Sequence, residues 1–446
     1  MVQYAKTESV TMTDWKNQFA EKIISLESAV GKIESGDKIW AGGLLSMPVI
    51  FLQELDKHLT QFHGCELYTG LMTYPYEFLK PQYKENFKHI SLFMGPLERK
   101  CQHGGNIEVM NFHFSNFKQT FAALKPNTVI IEVTPPNSDG YVSLGACGGV
   151  GSKEALKYAK KVLFVVNDQQ PFIGNKDNLV HIDYADFVVE GHHSIAMPKA
   201  GEPSELEQQI AQHVSPFIEN GMTVQIGIGT ISNAMGMALR NHQDLGIHTE
   251  MFTESLMEMC KAGAVSGKLK NYKPNKIVTA FAAGPQEVMD FLHNNDAIEM
   301  GGMAEVVDAY EVAKNDNFVS INTCVMVDVV GQVASEGVGF SQISGSGGQL
   351  DFVRAAGMSK GGVSILALSS TRDGKEGLES NIRIALPTGT PITTPRNDTQ
   401  VVVTEYGAAD LRGLTTPQRV KALINIAHPE FRDELLEQAT KLGLAK

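Results

Sequence analysis

The stretch DLGIHTEMFTES, Asp244 to Ser255, sets His248, Thr249 and Glu250 side by side between the polar RNHQD and a helix-like run. A carboxylate in such a place can serve as a general base or as a nucleophile. The segment 250–263 is predicted to be helical, so Glu250, Glu254 and Glu258 would form one acidic row. Acids in a first helical turn are stabilised by backbone N–H groups and need no catalytic duty. Glu250 stands apart from the other two because it lies at the predicted helix entrance, between Ile247 and Met251, where the main chain can aim one carboxylate at a cleft. His242, His248 and Glu250 could all ligate zinc, but HxxxxxHxE is not a tight metal spacing, and no metal is expected. The doublet His192 and His193 is expected at solvent or at a domain interface.

Two glycine turns could meet a ligand with their main chain. In SGSGGQLDFVRAA, residues 344–356, Gly347 and Gly348 permit a tight turn whose N–H groups could hold a phosphate or a developing oxyanion. GIGTISNAM, residues 227–235, delivers Gly227, Ile228 and Gly229 from a strand into a helix. Neither is GxGxxG or GxxxxGK, so the dinucleotide and P-loop fingerprints are absent. Either turn could equally be a structural entry into its helix.

The elements that must position these residues fall into two similar halves. GDKIWAGG at 36–43, after a helical opening at 14–35, reads as turn, strand, turn; GMTVQIGIG at 221–229 repeats this after an amphipathic helix at 204–219. Gly36 and Gly221 are 185 residues apart, and Gly140 and Gly331, in a second matched pair of segments, are 191 apart. Apolar β-branched runs at 160–167, 185–191, 276–284 and 363–370 resemble strands covered on both faces. Alternation with helices predicts two related layered α/β domains, 1–198 and 199–446, joined at the Pro/Gly-containing connection 198–203. The 446 residues are enough for both cores.

Composition excludes several classes of function. A formal charge of -12 offers no broad positive field for a phosphate backbone, so no nucleic-acid partner is expected. Five widely spaced cysteines without a CxxC pair argue against a disulfide scaffold and a structural zinc site. No apolar signal segment or eighteen-residue apolar run occurs, so a soluble cytoplasmic protein without a membrane partner is expected.

Taken in order, GGLLSMP, TPPNSDGYVSLG, DYADFVVEG, VQIGIGTISNAM, GIHTEMF, NTCVMVDVVGQVASE, GSGGQLDFVRAA and TPRNDTQVVVTEYGAADLRG resemble the acetyl-CoA hydrolase/transferase branch of class I coenzyme A transferases over nearly the whole chain. The resemblance implies that Glu250 is the nucleophile, that Asn322 belongs to the acyl pocket, and that the backbone of Gly347 contacts the oxyanion while Gly348 completes the turn. It makes Gly227, Ile228 and Gly229 a wall for the acyl or CoA group and brings Gly42, Gly43 and Met47 to the substrate pocket. It further implies acyl-CoA and small carboxylates as substrates, no tightly bound cofactor, and a homodimer or higher homo-oligomer. Length, GIHTEMF and GSGGQLDF most resemble the 4-hydroxybutyrate, butyrate and itaconate group, with acetyl-CoA or succinyl-CoA as donor. AGGLLSMP and ISNAM depart from that group's usual turns, which bears on the acceptor. An acyl-CoA hydrolase and a non-enzymatic CoA-binding or assembly protein are the alternatives.

Overall fold

The computed structural model describes residues 15–375 and 377–445. Two compact units divide them: one runs to Pro198 and also takes in Val278–Val306, and the other comprises Lys199–Ile277 and Val307 onward. Each is a layered α/β body built on a parallel sheet.

The first unit's sheet contains β1 (Lys38–Trp40), β2 (Cys65–Thr69), β3 (Phe87–Ser91), β4 (Glu108–Val109), β5 (Thr128–Val133), β6 (Lys161–Asn167) and β7 (Phe187–Gly191). Their spatial order is β4-β3-β2-β1-β5-β6-β7, with every pair parallel. All six residues of β5 are buried, as a strand covered by helices on both faces requires. Phe51, Leu52 and Leu55 of the helix Val49–Leu55 pack with Phe78, Phe87 and Leu163 in one apolar cluster. The strands Ile277–Ala282 and Ile298–Met300 pair with each other. Segment 278–306 is tied into the first unit: the N–H of Gly149 donates to the Ala280 carbonyl at 3.0 Å, the N–H of Met303 to that of Gly149 at 2.8 Å, and the Asn175 amide to that of Met300 at 2.8 Å.

The second unit repeats the plan with β8 (Thr223–Ile226), β9 (Gly246–Phe252), β10 (Phe318–Thr323), β11 (Val363–Ala367), β12 (Val401–Thr404) and β13 (Gly407–Asp410). The order is β9-β8-β10-β11-β12-β13, parallel except for the last hairpin. Val353, Leu366, Val402 and Leu423 belong to its core. In both sheets the first strand lies between the second strand and a later one, so the order reverses at β1/β5 and again at β8/β10. The paired glycines agree with this: Gly36, Gly221, Gly140 and Gly331 all have positive φ, at 86°, 82°, 80° and 99°. The expected two related α/β domains are present.

Two local expectations change. Of the predicted helical opening at 14–35, residue 14 lies outside the described residues, and the rest splits into Trp15–Gln18, a 3-10 turn at Ala20–Lys22 and Leu26–Val30. The break occurs where the Ile24 N–H donates to the Val188 carbonyl of β7 at 2.9 Å, so pairing with the sheet edge replaces helix. The predicted helix at 250–263 is strand through Phe252, then Thr253 as N-cap, then helix Glu254–Lys261. Apolar residues at 245, 247 and 252 follow neither period throughout, since 245 and 247 have strand spacing and 245 and 252 helix spacing, and burial of Gly246 to Thr249 in the parallel sheet decides for strand.

Candidate functional site

Glu250 occupies the carboxyl-terminal part of β9, and Glu254 and Glu258 stand on the following helix, so the three acids share no row. Glu254 accepts the Ala200 N–H at 2.9 Å, while Glu258 lies 3.5 Å from Arg240 and 3.4 Å from Lys261. Glu250 instead meets the glycine turn. The Gly348 N–H donates to its Oε2 at 2.8 Å, and Gly348 is the N-cap of the helix Gln349–Met358. Strand β9 therefore carries the carboxylate to a helix N-terminus, a favourable location for negative charge.

The two glycines of that turn are needed for different reasons. Gly347 has φ +60°, in the left-handed region. Gly348 has an ordinary φ of -95°, but a Cβ there would lie 2.3 Å from Oε2 of Glu250 and 3.2 Å from Val307. Space, not backbone conformation, demands glycine at 348.

Burial is the dominant influence on Glu250 and pushes its carboxyl up to about 8, with Asp351 adding to the rise and the Gly348 N–H opposing it. The residue keeps some exposed surface even though its carboxyl is enclosed. A poorly hydrated carboxylate is harder to form and, once formed, a stronger nucleophile.

Beside it in sequence order, the switch between β8 and β10 holds a buried polar cluster. Asn322, on β10, donates from Nδ2 to Ser320 Oγ at 2.9 Å and to Gln225 Oε1 at 3.2 Å; Gln225 Nε2 donates to Asn322 Oδ1 at 3.1 Å, and Ser320 Oγ donates to Gln225 Oε1 at 2.8 Å. Gly227 follows β8, and a Cβ there would lie 3.3 Å from Oδ1 of Asn322. Ile228 is 46% exposed, and Gly229, with φ +108°, caps the helix Thr230–Ala238. Crevices beyond the carboxyl ends of parallel strands at such a switch are where open α/β sheets bind ligands. Gln225 and Ser320 are missed by sequence reading, which has no means of pairing residues about a hundred positions apart without a register.

In the first unit, Gly42 and Gly43 follow β1 after Ala41, at the β1/β5 switch. Gly42 has φ +68°, and a Cβ there would lie 2.5 Å from the Ser46 carbonyl oxygen. The Gly43 N–H donates to Ser46 Oγ at 3.1 Å, and Leu44 follows with φ +50°, a strained value for a branched residue. Met47 is buried and lines an apolar cavity of this unit together with Leu44 and Leu45. Glu132, the fifth residue of β5 as Asn322 is the fifth of β10, is a buried carboxyl that sequence reading overlooks. Its repeated position in two similar strands is the clue that could have found it.

The histidines divide. His192 is exposed, 2.7 Å from Asp168, whereas His193 is half-buried with Nε2 3.2 Å from Glu132 Oε2. His248 is buried, its ring 6.0 Å from that of Tyr272, and His242 Nε2 lies 3.1 Å from the Ile218 carbonyl oxygen. Among the described residues, no group of three His, Cys, Asp or Glu could hold a metal ion, and no helix is long and apolar enough to cross a membrane.

Residues 7–198 match the acetyl-CoA hydrolase/transferase N-terminal domain, and residues 284–439 match the C-terminal domain of the same family. The chain is 37% identical to the 4-hydroxybutyrate coenzyme A transferase of Clostridium kluyveri, over 96% of this chain and 99% of that one. It is 34% identical to the butyryl-CoA:acetate CoA-transferase of Anaerostipes caccae, over 96% and 98%. Among solved structures, RipA from Yersinia pestis superposes with TM-score 0.88 at 30% identity, covering 97% of this chain and 100% of that one. The 4-hydroxybutyrate CoA-transferase of Porphyromonas gingivalis gives 0.79 at 33% identity, covering 96% and 100%.

Proposed function

Because the chain belongs to the acetyl-CoA hydrolase/transferase family and is a coenzyme A transferase, we propose that it moves CoA from an acyl-CoA to a short carboxylate through a covalent thioester on Glu250. The candidate acids are 4-hydroxybutyrate, butyrate and itaconate, with acetyl-CoA or succinyl-CoA as donor. The names of the relatives above support the first two. One observation carries the reading: a largely desolvated glutamate near the carboxyl end of its strand accepts the N–H of Gly348 at a helix N-terminus.

The chemistry follows from that placement. The Glu250 carboxylate attacks the thioester carbonyl, the C–S bond breaks, and an acyl-glutamyl anhydride forms with release of CoA thiolate. The thiolate attacks the glutamyl carbonyl, expelling the first carboxylate and leaving a glutamyl-CoA thioester. An incoming carboxylate reverses the two steps and departs as the new acyl-CoA. In this reading the Gly347 N–H stabilises the carbonyl oxygen as it gains charge. Gly348 holds the carboxylate, Asn322 lines the acyl pocket, and Gly227, Ile228 and Gly229 bound the CoA or acyl group. Gly42, Gly43 and Met47 are assigned to the substrate pocket in the same reading.

The test is a donor-by-acceptor exchange panel combined with intact-mass measurement after acyl-CoA is added. A CoA adduct on Glu250 that disappears when acceptor is supplied is the expected result. Turnover with no adduct under any condition would reject the covalent path, and rapid release of free CoA without acceptor would favour hydrolysis.

Gly348→Ala should lower kcat/KM about tenfold or more, because its new methyl group must displace the Glu250 carboxyl. Its φ of -95° accommodates alanine, so thermal unfolding should move by only a few degrees. Unchanged kinetics in this variant would show that the contact between Gly348 and Glu250 is dispensable.

A further inference from the structure

Strands β9, β8 and β10 lie side by side, and one row of their pairing runs through Val224, with Ile247 opposite on β9 and Val319 opposite on β10. Three residues further along each strand, the row is Glu250, Gly227 and Asn322. The ladder between β8 and β10 reaches this level, because the Gly227 N–H donates to the Ile321 carbonyl at 2.8 Å. On the other side, Thr249 Oγ1 donates to the Ile226 carbonyl at 3.4 Å, one residue short of the row.

The three positions also share a face of the sheet. Side chains alternate along a strand, so Phe318, Ser320 and Asn322 lie on one side of β10. Gln225 exchanges hydrogen bonds with Ser320 and Asn322 and therefore lies on that side of β8, as does position 227. His248, two residues before Glu250, has its ring 6.4 Å from that of Phe318. Phe352 is 6.1 Å from the same ring, on the helix that begins after Gly348, and Glu250 accepts the Gly348 N–H. Glu250 and Asn322 thus stand two strand spacings apart, about 10 Å, with a residue lacking a side chain between them.

The protein itself does not require glycine at 227. Its φ is outside the left-handed region, and a Cβ would lie 3.3 Å from Asn322 Oδ1, 3.5 Å from the Ile321 carbonyl oxygen and 3.6 Å from Asn322 Cα. Only the first of these contacts is tight, and it asks Asn322 to give by a few tenths of an ångström. All three neighbours belong to β10, so the space over Gly227 opens on the side of Glu250. Gly42 and Gly348 are different, since a Cβ there would lie 2.5 and 2.3 Å from its nearest neighbour. A glycine at a strand end that neither backbone nor packing demands marks the close approach of another group. The far wall of the gap is firm: Asn322 Nδ2 directs its two hydrogens to Gln225 Oε1 and Ser320 Oγ.

We propose that Gly227 sets the acyl length this enzyme accepts: the acyl chain joined to Glu250 extends over the bare main chain of Gly227 towards Asn322. The inference rests on the covalent reading of Glu250 above and assigns Gly227 to the acyl chain rather than to CoA. An acetyl group on Glu250 stays beside its own strand. A butyryl or 4-hydroxybutyryl group carries two more carbons and covers the neighbouring strand, about 4.8 Å away. A methyl group at 227 stands in the path of the longer chain alone.

The experiment follows formation of the CoA adduct by intact mass in the full chain, without acceptor, with acetyl-CoA or butyryl-CoA held well below saturation. Both donors leave the same glutamyl-CoA, so a difference between them reports the acyl group. Gly227→Ala should slow butyryl-CoA about tenfold more than acetyl-CoA, and Gly227→Ser, with one heavy atom more, should discriminate at least as strongly. Thermal unfolding of Gly227→Ala should stay within about two degrees of the parent or rise, because alanine loses less freedom than glycine on folding. In a folded variant, a ratio of the two donors within about twofold of the parent's overturns the proposal. A melting temperature lowered by about ten degrees also overturns it, since the protein itself would then need the glycine. No adduct on the unmodified chain with either donor would instead overturn the covalent chemistry assigned to Glu250.

Discussion

Glu250→Ala should reduce acyl exchange by about 10⁴-fold or more and abolish the CoA adduct, with the fold retained. The size of the effect follows from the covalent path, in which no other group can form the anhydride. Glu250→Gln should be as inactive, since an amide keeps the shape and the contact with Gly348 but has no carboxylate to acylate. Glu254→Ala provides the contrast. Its carboxylate accepts the Ala200 N–H and stands on the helix beyond the strand, so its loss should change exchange by less than about threefold. Steady-state rates and intact mass on the three variants check both halves of the prediction. Substantial exchange by Glu250→Ala would remove Glu250 from the mechanism.

The second large effect is on pH. Because burial holds the Glu250 carboxyl near 8, the free enzyme below that pH carries mainly the protonated, non-nucleophilic acid. kcat/KM for acyl-CoA should therefore rise about tenfold per pH unit up to roughly 8 and then level off. A profile already flat from pH 6 would contradict a raised carboxyl. The same shift has a consequence for stability, with its sign set by proton binding. Between the ordinary value of 4.5 and about 8 the folded state holds a proton that the unfolded state has released, so this group's contribution falls as pH rises through that window. Glu250→Gln cannot ionise, and it should melt a few degrees above the parent at pH 8.5 and match it more closely at pH 5.

Much of the fold is legible from sequence because apolar, β-branched runs such as KVLFVVN and VSILA are too short for helices and too continuous for half-exposed strands. Glycines also carry information: the positive φ shared by Gly36 and Gly221 marks the same turn in both halves. The segment around Glu250 is harder. GIHTEMF suits either period, and only the neighbouring parallel strand makes it extended, which is a fact about residues far away in the chain. The same limitation hides Glu132. Its position inside TVIIEV looks like an interruption of an apolar strand, and its importance emerges only when residues 167, 170 and 193 are brought to it. His193 is read as half of a doublet at solvent or at a domain interface because sequence cannot tell which of two adjacent histidines turns inward.

Segment 278–306 gives the chain a timing problem during synthesis. The first unit needs Ala280, Met300 and Met303 to satisfy groups on Gly149 and Asn175, yet about a hundred residues separate Pro198 from the end of that segment. At ribosomal rates of about 5–20 residues per second, these groups of the nascent amino-terminal half wait roughly 5–20 s for their partners. The amino-terminal half therefore completes these contacts only after part of the carboxyl-terminal half has been made, so the last steps of its packing overlap with synthesis of the other half.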